Sequence, residues 1–268
     1  MNRSIRERIY KVKPLHSFLR YVCYNSGIIK YYTEYYRKGY KRIFEQIKES
    51  KVGKRCFIIG NGASLSPADL DMINGEESFA SNQIFRIFEY TKWRPTYYLI
   101  QDRYAEIRPE EILSIDCENV FLSDYYCRFN RVLRPDFIQL KCKYEFPRKP
   151  TAFSEHIEKY YIVSPTVSYM AMQIAAYMGY SDIYLIGFDH NYQYELNDKN
   201  GIIKETKTKD PHFYKDKDPI TIIANIEGME KAYMSFKQYA VDKGINVKNV
   251  TRGGSLELFE RAKLEDVL

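Results

Sequence analysis

Apolar residues recur along this chain in two rhythms, and the rhythm changes near residue 54. Before it, Ile5, Ile9 or Tyr10, Leu15, Phe18, Leu19 and Val22 stand at helical spacing. A second helical set follows at Ile28, Ile29, Tyr32, Tyr35, Tyr36, Tyr40, Phe44 and Ile47, with Lys and Arg in the opposite positions. This spacing predicts amphipathic helices of aromatic, basic character. After it, Cys56-Phe57-Ile58-Ile59 opens a series of short apolar runs that continues at 78–80, 96–100, 119–122, 183–186 and 246–250. Continuous apolar runs are what a strand covered on both faces requires. Helical periodicity separates several of them, most clearly over 166–178 and 226–243. Strands alternating with helices predict a doubly wound α/β sheet, mostly parallel. Such sheets hold ligands outside the carboxyl ends of their strands, where the strand order reverses.

The pattern divides the chain into an N-terminal helical extension, 1–53, and a Rossmann-like catalytic domain, 54–268. Within the second, residues 193–219 are rich in Lys, Asp, Asn and Thr and nearly free of apolar residues apart from Ile202-Ile203. A polar stretch of that length inside a compact domain predicts a mobile lid or binding loop. His212-Phe213-Tyr214 is an aromatic island within it.

Charge sharpens the division. Residues 1–55 hold 15 Lys and Arg against 4 Asp and Glu, which leaves 26 against 31 for the remainder. A strongly basic segment thus precedes a mildly acidic body. It is expected to pack on the core or on a second copy of the chain, or to meet an anionic membrane surface. Nucleic acid is not expected as a partner, because no nucleic-acid-binding module accompanies the charge. No apolar run approaches the roughly 20 residues that span a bilayer, and no signal-peptide pattern opens the chain. The expected location is therefore the cytoplasm, with peripheral attachment at the inner face of the cell membrane. The five cysteines lack metal-finger spacing and read as reduced thiols.

Chemistry concentrates where the runs end. Ile58-Ile59-Gly60-Asn61-Gly62-Ala63-Ser64-Leu65 is a strand entering a glycine turn. It lacks both the G-x-G-x-x-G spacing and the P-loop Lys. Glycines there allow positive φ or close approach, and their amides can cradle a phosphate. Ser81-Asn82-Gln83 and Gln101-Asp102-Arg103 follow two further strands and read equally as caps or as cleft-lining groups. Ser164-Pro165-Thr166-Val167-Ser168 opens a helix, where hydroxyls cap the helix or meet a ribose or phosphate. Ile186-Gly187-Phe188-Asp189-His190-Asn191-Tyr192 gathers four polar side chains at one strand end, a concentration that favours function. Of the four histidines, His190 and His212 flank the lid and are the general-base candidates. Asp69-Leu70-Asp71 and Asp216-Lys217-Asp218 spell the Asp-x-Asp of many metal-dependent transferases, but the first reads better as a helix cap. No metal site is assigned.

Taken together, Gly60-Asn61-Gly62-Ala63-Ser64-Leu65, Ser81-Asn82, Trp93-Arg94-Pro95-Thr96-Tyr97-Tyr98, Gln101-Asp102-Arg103, Thr166-Val167, Ile186-Gly187-Phe188-Asp189-His190 and Asn249-Val250-Thr251-Arg252-Gly253-Gly254-Ser255-Leu256 resemble the MptE-like domain, named after 6-hydroxymethylpterin diphosphokinase. The match runs in order over roughly residues 54–260. The same core occurs in motility-associated flagellin glycosyltransferases and is similar to bacterial sialyltransferases that use a CMP-sugar without metal. The resemblance implies a glycosyltransferase of surface polysaccharide or glycoconjugate synthesis. Its donor would be a nucleotide-sugar, a CMP-linked nonulosonic acid or related acidic sugar, and its acceptor a glycan or lipid-linked glycan. Gly60, Asn61, Gly62, Ser64, Asn82, Asp102, Thr166, Gly187, Asp189, His190 and Asn191 would hold the nucleotide. His212 would be the base, and Tyr192 or Tyr214 would meet the departing phosphate. The chain carries Asp102 where the sialyltransferases have Asn, and Phe213 where they have Tyr. No cofactor is implied on this reading. The diphosphokinase alternative requires Mg, with Asp102 and Asp189 as ligands, and a non-enzymatic nucleotide-binding module is the third reading.

Overall fold

The computed structural model describes residues 13–101, 107–130, 136–144, 153–192, 194–197, 202–205, 212–214 and 224–268. The N-terminal helices are α1 (Lys13–Asn25), α2 (Ile28–Arg37) and α3 (Tyr40–Ile47). There follow β1 (Arg55–Ile59), α4 (Pro67–Met72), β2 (Ser78–Ser81), a 3-10 turn (Asn82–Ile87), β3 (Tyr97–Ile100), α5 (Pro109–Leu113), β4 (Asn119–Ser123), α6 (Asp124–Asn130) and β5 (Ile138–Leu140). The short β6 (Cys142–Lys143) and β7 (Tyr161–Ile162) pair with each other beside the main sheet. The chain continues through α7 (Ser168–Met178), β8 (Asp182–Ile186), β9 (Tyr194–Asn197), β10 (Ile202–Glu205), α8 (Ile226–Lys243), β11 (Asn246–Asn249) and β12 (Glu260–Arg261).

The main sheet has eight strands in the order β12-β11-β8-β1-β2-β3-β4-β5, and every pair in it is parallel. The chain enters at β1, winds outward to β5, then returns to the other side of β1 as β8 and winds the opposite way. The strand order therefore reverses at β1, and the carboxyl ends of β1 and β8 form the crevice expected of this topology. Their register aligns Ile59 with Ile186, so the two strands end side by side.

Alternation along each strand sends side chains into two separate cores. Cys56, Ile58, Phe79, Leu99, Ile183 and Leu185 meet α7, α8 and the N-terminal helices on one face. Phe57, Ile59, Ala80, Ile100, Tyr184 and Ile186 meet Leu70, Ile84, Ile87 and Ile112 on the other. The doubly wound, parallel α/β arrangement predicted from the apolar runs is thus the observed one. Strands β5, β6, β7 and β12 carry too few residues to show a periodicity, and the antiparallel pair β9 and β10 lies in the polar stretch expected to be a loop.

The helix α7 is buried along nearly its whole length and carries one wholly buried polar side chain, Gln173. Its carbonyl accepts the amides of Ser154 (3.3 Å) and Ile162 (2.8 Å), and its amide donates to Ile162 O and Tyr169 O, both at 3.0 Å. The four bonds satisfy the group and tie β7 to α7.

The N-terminal helices join the same core. Tyr24, Tyr31, Tyr35, Tyr40 and Phe44 are buried. Tyr31 Oη donates to Gln139 O (3.3 Å) and Tyr40 Oη to Phe137 O (3.0 Å), so α2 and α3 cover the edge strand β5. Arg128 of α6 donates to the carbonyls of Cys23 and Tyr24 at the carboxyl end of α1, where a cation also complements the helix dipole. Packing on the core therefore accounts for the buried stripe of these helices, while Ile28, Ile29 and Tyr36 of α2 stay exposed. All five cysteines are free thiols. Among the described residues, no helix is long and apolar enough to cross a membrane.

Candidate functional site

Two turns leave the sheet together, Gly60-Asn61-Gly62 after β1 and Gly187-Phe188-Asp189 after β8. Gly60 N donates to Ile186 O (2.7 Å) and Gly62 N to Gly187 O (2.9 Å). A Cβ on Gly60 would lie 2.3 Å from Gly187 O, and one on Gly62 would lie 1.8 Å from Asp189 Oδ2. Both glycines have ordinary negative φ, whereas Gly187 has φ of 71°. Close contact between the two turns, rather than a left-handed backbone, is what demands glycine at 60 and 62.

Asp189 is buried and spends its carboxylate on the first turn. Ser64 N donates to it at 3.2 Å and Ser64 Oγ at 2.8 Å. Its main-chain carbonyl accepts the amide of Ser255 at 2.7 Å, which folds the 251–256 segment against the same place. Three amides of the glycine turn, those of Gly60, Gly62 and Ser64, are therefore already donated within the protein. The amide cradle expected of this turn is largely committed to joining the two strand ends, and recognition falls to side chains.

Asn61 is the first of these. Its Nδ2 donates to Ser81 O at 3.1 Å, which fixes the amide's orientation and leaves Oδ1 buried without a protein partner. Gln101, at the end of β3, has the same character. Its Nε2 donates to Ser164 O (2.9 Å), and its buried Oε1 has no protein partner. A buried acceptor left unsatisfied costs roughly 1–3 kcal/mol, so donors from a ligand would stabilise both groups. Asn82 between them has φ of 53°, a conformation Asn tolerates, and its carbonyl accepts from Tyr98 Oη at 2.5 Å. Through Gln101 the Ser164–Thr166 turn joins this wall. There Ser164 Oγ donates to Thr166 O (2.9 Å), which closes the turn, and Thr166 Oγ1 accepts the first amide of α7, Ser168 N (3.3 Å).

The aromatic island 212–214 lies on the glycine turn. His212 pairs as an antiparallel bridge with Gly62, and Phe213 N donates to Asn61 O at 3.1 Å. Phe213 packs on the core beneath, and the His212 ring stacks on Tyr214 with centroids 5.0 Å apart and planes 5° from parallel. The Arg86 guanidinium lies 5.0 Å from the Tyr214 ring centroid. Arg86 was missed in the sequence. Its signal was a single cation in the run Ile84-Phe85-Arg86-Ile87, just after Ser81-Asn82-Gln83.

The remaining candidates lie on the β8 side. His190 takes φ of 56° and turns its ring toward α8, with Nε2 3.6 Å from Glu230 and edge contacts to Tyr192 (5.9 Å) and Tyr233 (6.0 Å). Asn191 Oδ1 accepts from Ser255 Oγ at 2.6 Å. Burial, reinforced by the neighbouring Tyr233, Asp189 and Tyr214, pushes the Tyr192 phenol far above its ordinary pKa, so it keeps its proton. Asp102 and the Asp216–Asp218 pair lie outside the described residues. Asp69 is a capping group that bonds Ser66 and pairs with Arg252, and Asp71 accepts from Thr91 at 2.5 Å. Among the described residues no group of three His, Cys, Asp or Glu gathers as metal ligands do.

No family model matches the chain, and no curated protein matches it. Among solved structures it is similar to the MAf glycosyltransferase from Magnetospirillum magneticum AMB-1, at 15% identity and a TM-score of 0.51 over 81% of this chain and 34% of that one. The likeness is one of fold. This chain spans about a third of the length of that protein.

Proposed function

We propose that this chain is a glycosyltransferase that takes a CMP-linked acidic sugar, such as a nonulosonic acid, in surface polysaccharide or glycoconjugate synthesis. The observation that carries the reading is the main-chain bridge between His212 and Gly62, beside a turn whose Asn61 retains a buried, unsatisfied acceptor. The fold shared with a glycosyltransferase supports it.

In this reading Asn61 and Gln101 accept hydrogen bonds from the nucleotide, and Asp189 keeps the two strand-end turns together through Ser64. The acceptor's hydroxyl oxygen bonds to the anomeric carbon as the bond from that carbon to the phosphate oxygen breaks. His212 takes the hydroxyl proton, and CMP leaves with the bonding electron pair. Tyr192, protonated, or Tyr214 donates a hydrogen bond to the departing phosphate, and Arg86 supplies a positive charge nearby. Groups set in place for charge that develops in the transition state are among the largest contributors to catalysis.

The test is a thermal-unfolding screen of the full chain with CMP, CDP, UDP, GDP and ATP, each with and without Mg. CMP is expected to stabilise the protein without Mg, by about 2.7 kcal/mol at a hundredfold excess over Kd. Asn61→Ala is expected to remove that gain. Stabilisation by ATP with Mg alone would favour a diphosphokinase instead.

A further inference from the structure

The helix α2 has two unlike sides. At about 100° per residue, Tyr31 and Tyr35 share one direction and are buried against the core. On the outward side, Ile28, Tyr32, Tyr36 and Ile29 fall within an arc of about 100°, and Thr33, Arg37 and Lys30 fill the next 60° or so. Ile29 is 81% exposed and Tyr36 73%. Ile28, Ile29, Tyr32, Thr33 and Tyr36 line a groove of about 490 Å³. Lys30 and Arg37 are exposed beside it, as are Lys41 and Arg42 of α3.

A helix side that faces only water has no use for an isoleucine at that exposure. An aliphatic and aromatic stripe with cations along its flank is the pattern of a helix lying in a lipid interface, where apolar side chains enter the acyl boundary and Lys and Arg reach the headgroups. We infer that the outward face of α2 docks this chain on an anionic lipid surface. Even with Arg37 paired to Glu34 (2.6 Å) and Lys41 near Glu45 (3.8 Å), Lys30 and Arg42 leave this face net positive, so a second copy would meet like charge whereas anionic headgroups complement it. The sequence ahead of α1 adds Arg3, Arg6, Arg8 and Lys11 against the single acid Glu7. The surface lies over the β5 edge, away from the glycine turn after β1, and the inference does not depend on which nucleotide binds there.

The experiment is cosedimentation of the full chain with vesicles of phosphatidylcholine alone and of phosphatidylcholine with 30% phosphatidylglycerol, at low and at physiological salt. Binding to the anionic vesicles, weakened by salt and absent from neutral ones, is the expected result. The double variant Ile29→Glu, Tyr36→Glu alters two exposed side chains and gives up one edge contact, that of Tyr36 with buried Tyr35 at 5.4 Å, so its melting temperature is expected to fall little and its nucleotide-induced shift to be that of the unaltered chain. Its binding to anionic vesicles is expected to fall at least about tenfold. Three results would overturn the inference. They are no vesicle binding at low salt, equal binding by the variant, or a dimer that the variant dissolves in a chain that ignores vesicles.

Discussion

Replacing His212 with Ala is expected to leave the fold and nucleotide binding intact and to lower sugar transfer by at least about a hundredfold. That loss corresponds to about 2.7 kcal/mol of transition-state stabilisation. The fold should survive because the 212–214 segment is held by its main chain, through the bridge to Gly62 and the Phe213 amide to Asn61, and by Phe213 on the core. The imidazole adds its stacking on Tyr214. His190→Ala should behave differently. Its ring is enclosed by Tyr192, Tyr233 and Glu230 on the α8 side, so its loss should disturb packing more than proton transfer. The comparison is read from steady-state kinetics alongside a CMP titration of each variant. Near-normal turnover in His212→Ala with His190→Ala inactive would move the base to His190.

The largest stability effect is expected far from the site. Asp124 and Lys141 are 2% and 4% exposed and form an ion pair of 3.0 Å. The second carboxylate oxygen accepts the amide of Cys142 (2.8 Å), and Lys141 Nζ also reaches Tyr24 O (3.3 Å). The pair therefore links the start of α6, the segment joining β5 to β6, and the carboxyl end of α1. Asp124→Ala leaves a buried ammonium without its counter-charge, with only the Tyr24 carbonyl as acceptor, and the buried Cys142 amide without its acceptor, at a cost of about 3–5 kcal/mol. In a domain of this size that lowers the melting temperature by about 10 °C. Replacing both partners together, Asp124→Leu with Lys141→Met, removes the stranded charge and is expected to recover most of the loss. Thermal unfolding followed by circular dichroism measures both. A single variant that melts within 2 °C of the unaltered chain would mean that the pair does not carry this load.

The layered architecture was legible because burial on both faces forces apolar runs that stand out at 56–59, 119–122 and 183–186. The helix expected over 226–243 spans Ile226–Lys243, where Asn225 accepts from Gly228 N at the start and Gly244 closes the end in a left-handed turn. Contacts far apart in sequence were harder to read. Nothing near Gly62 announces that its neighbour is the carboxylate of Asp189, so the glycine was credited to ligand approach when packing requires it. The basic N-terminal segment carried a mixed signal for a similar reason. The stripe through Tyr31 and Tyr35 belongs to the core and that of Ile29 and Tyr36 does not, but both have helical spacing and the same residue types. Arg86 meets Tyr214, 128 positions later, a separation that periodicity does not register.

The most direct test of the central claim is the release of CMP from a CMP-linked nonulosonic acid by the full chain in the presence of EDTA, followed by chromatography with and without a glycan acceptor. The account predicts CMP release that the acceptor accelerates, that EDTA does not suppress and that His212→Ala largely abolishes. An intact donor with both proteins, together with Mg-dependent turnover of ATP, would contradict it.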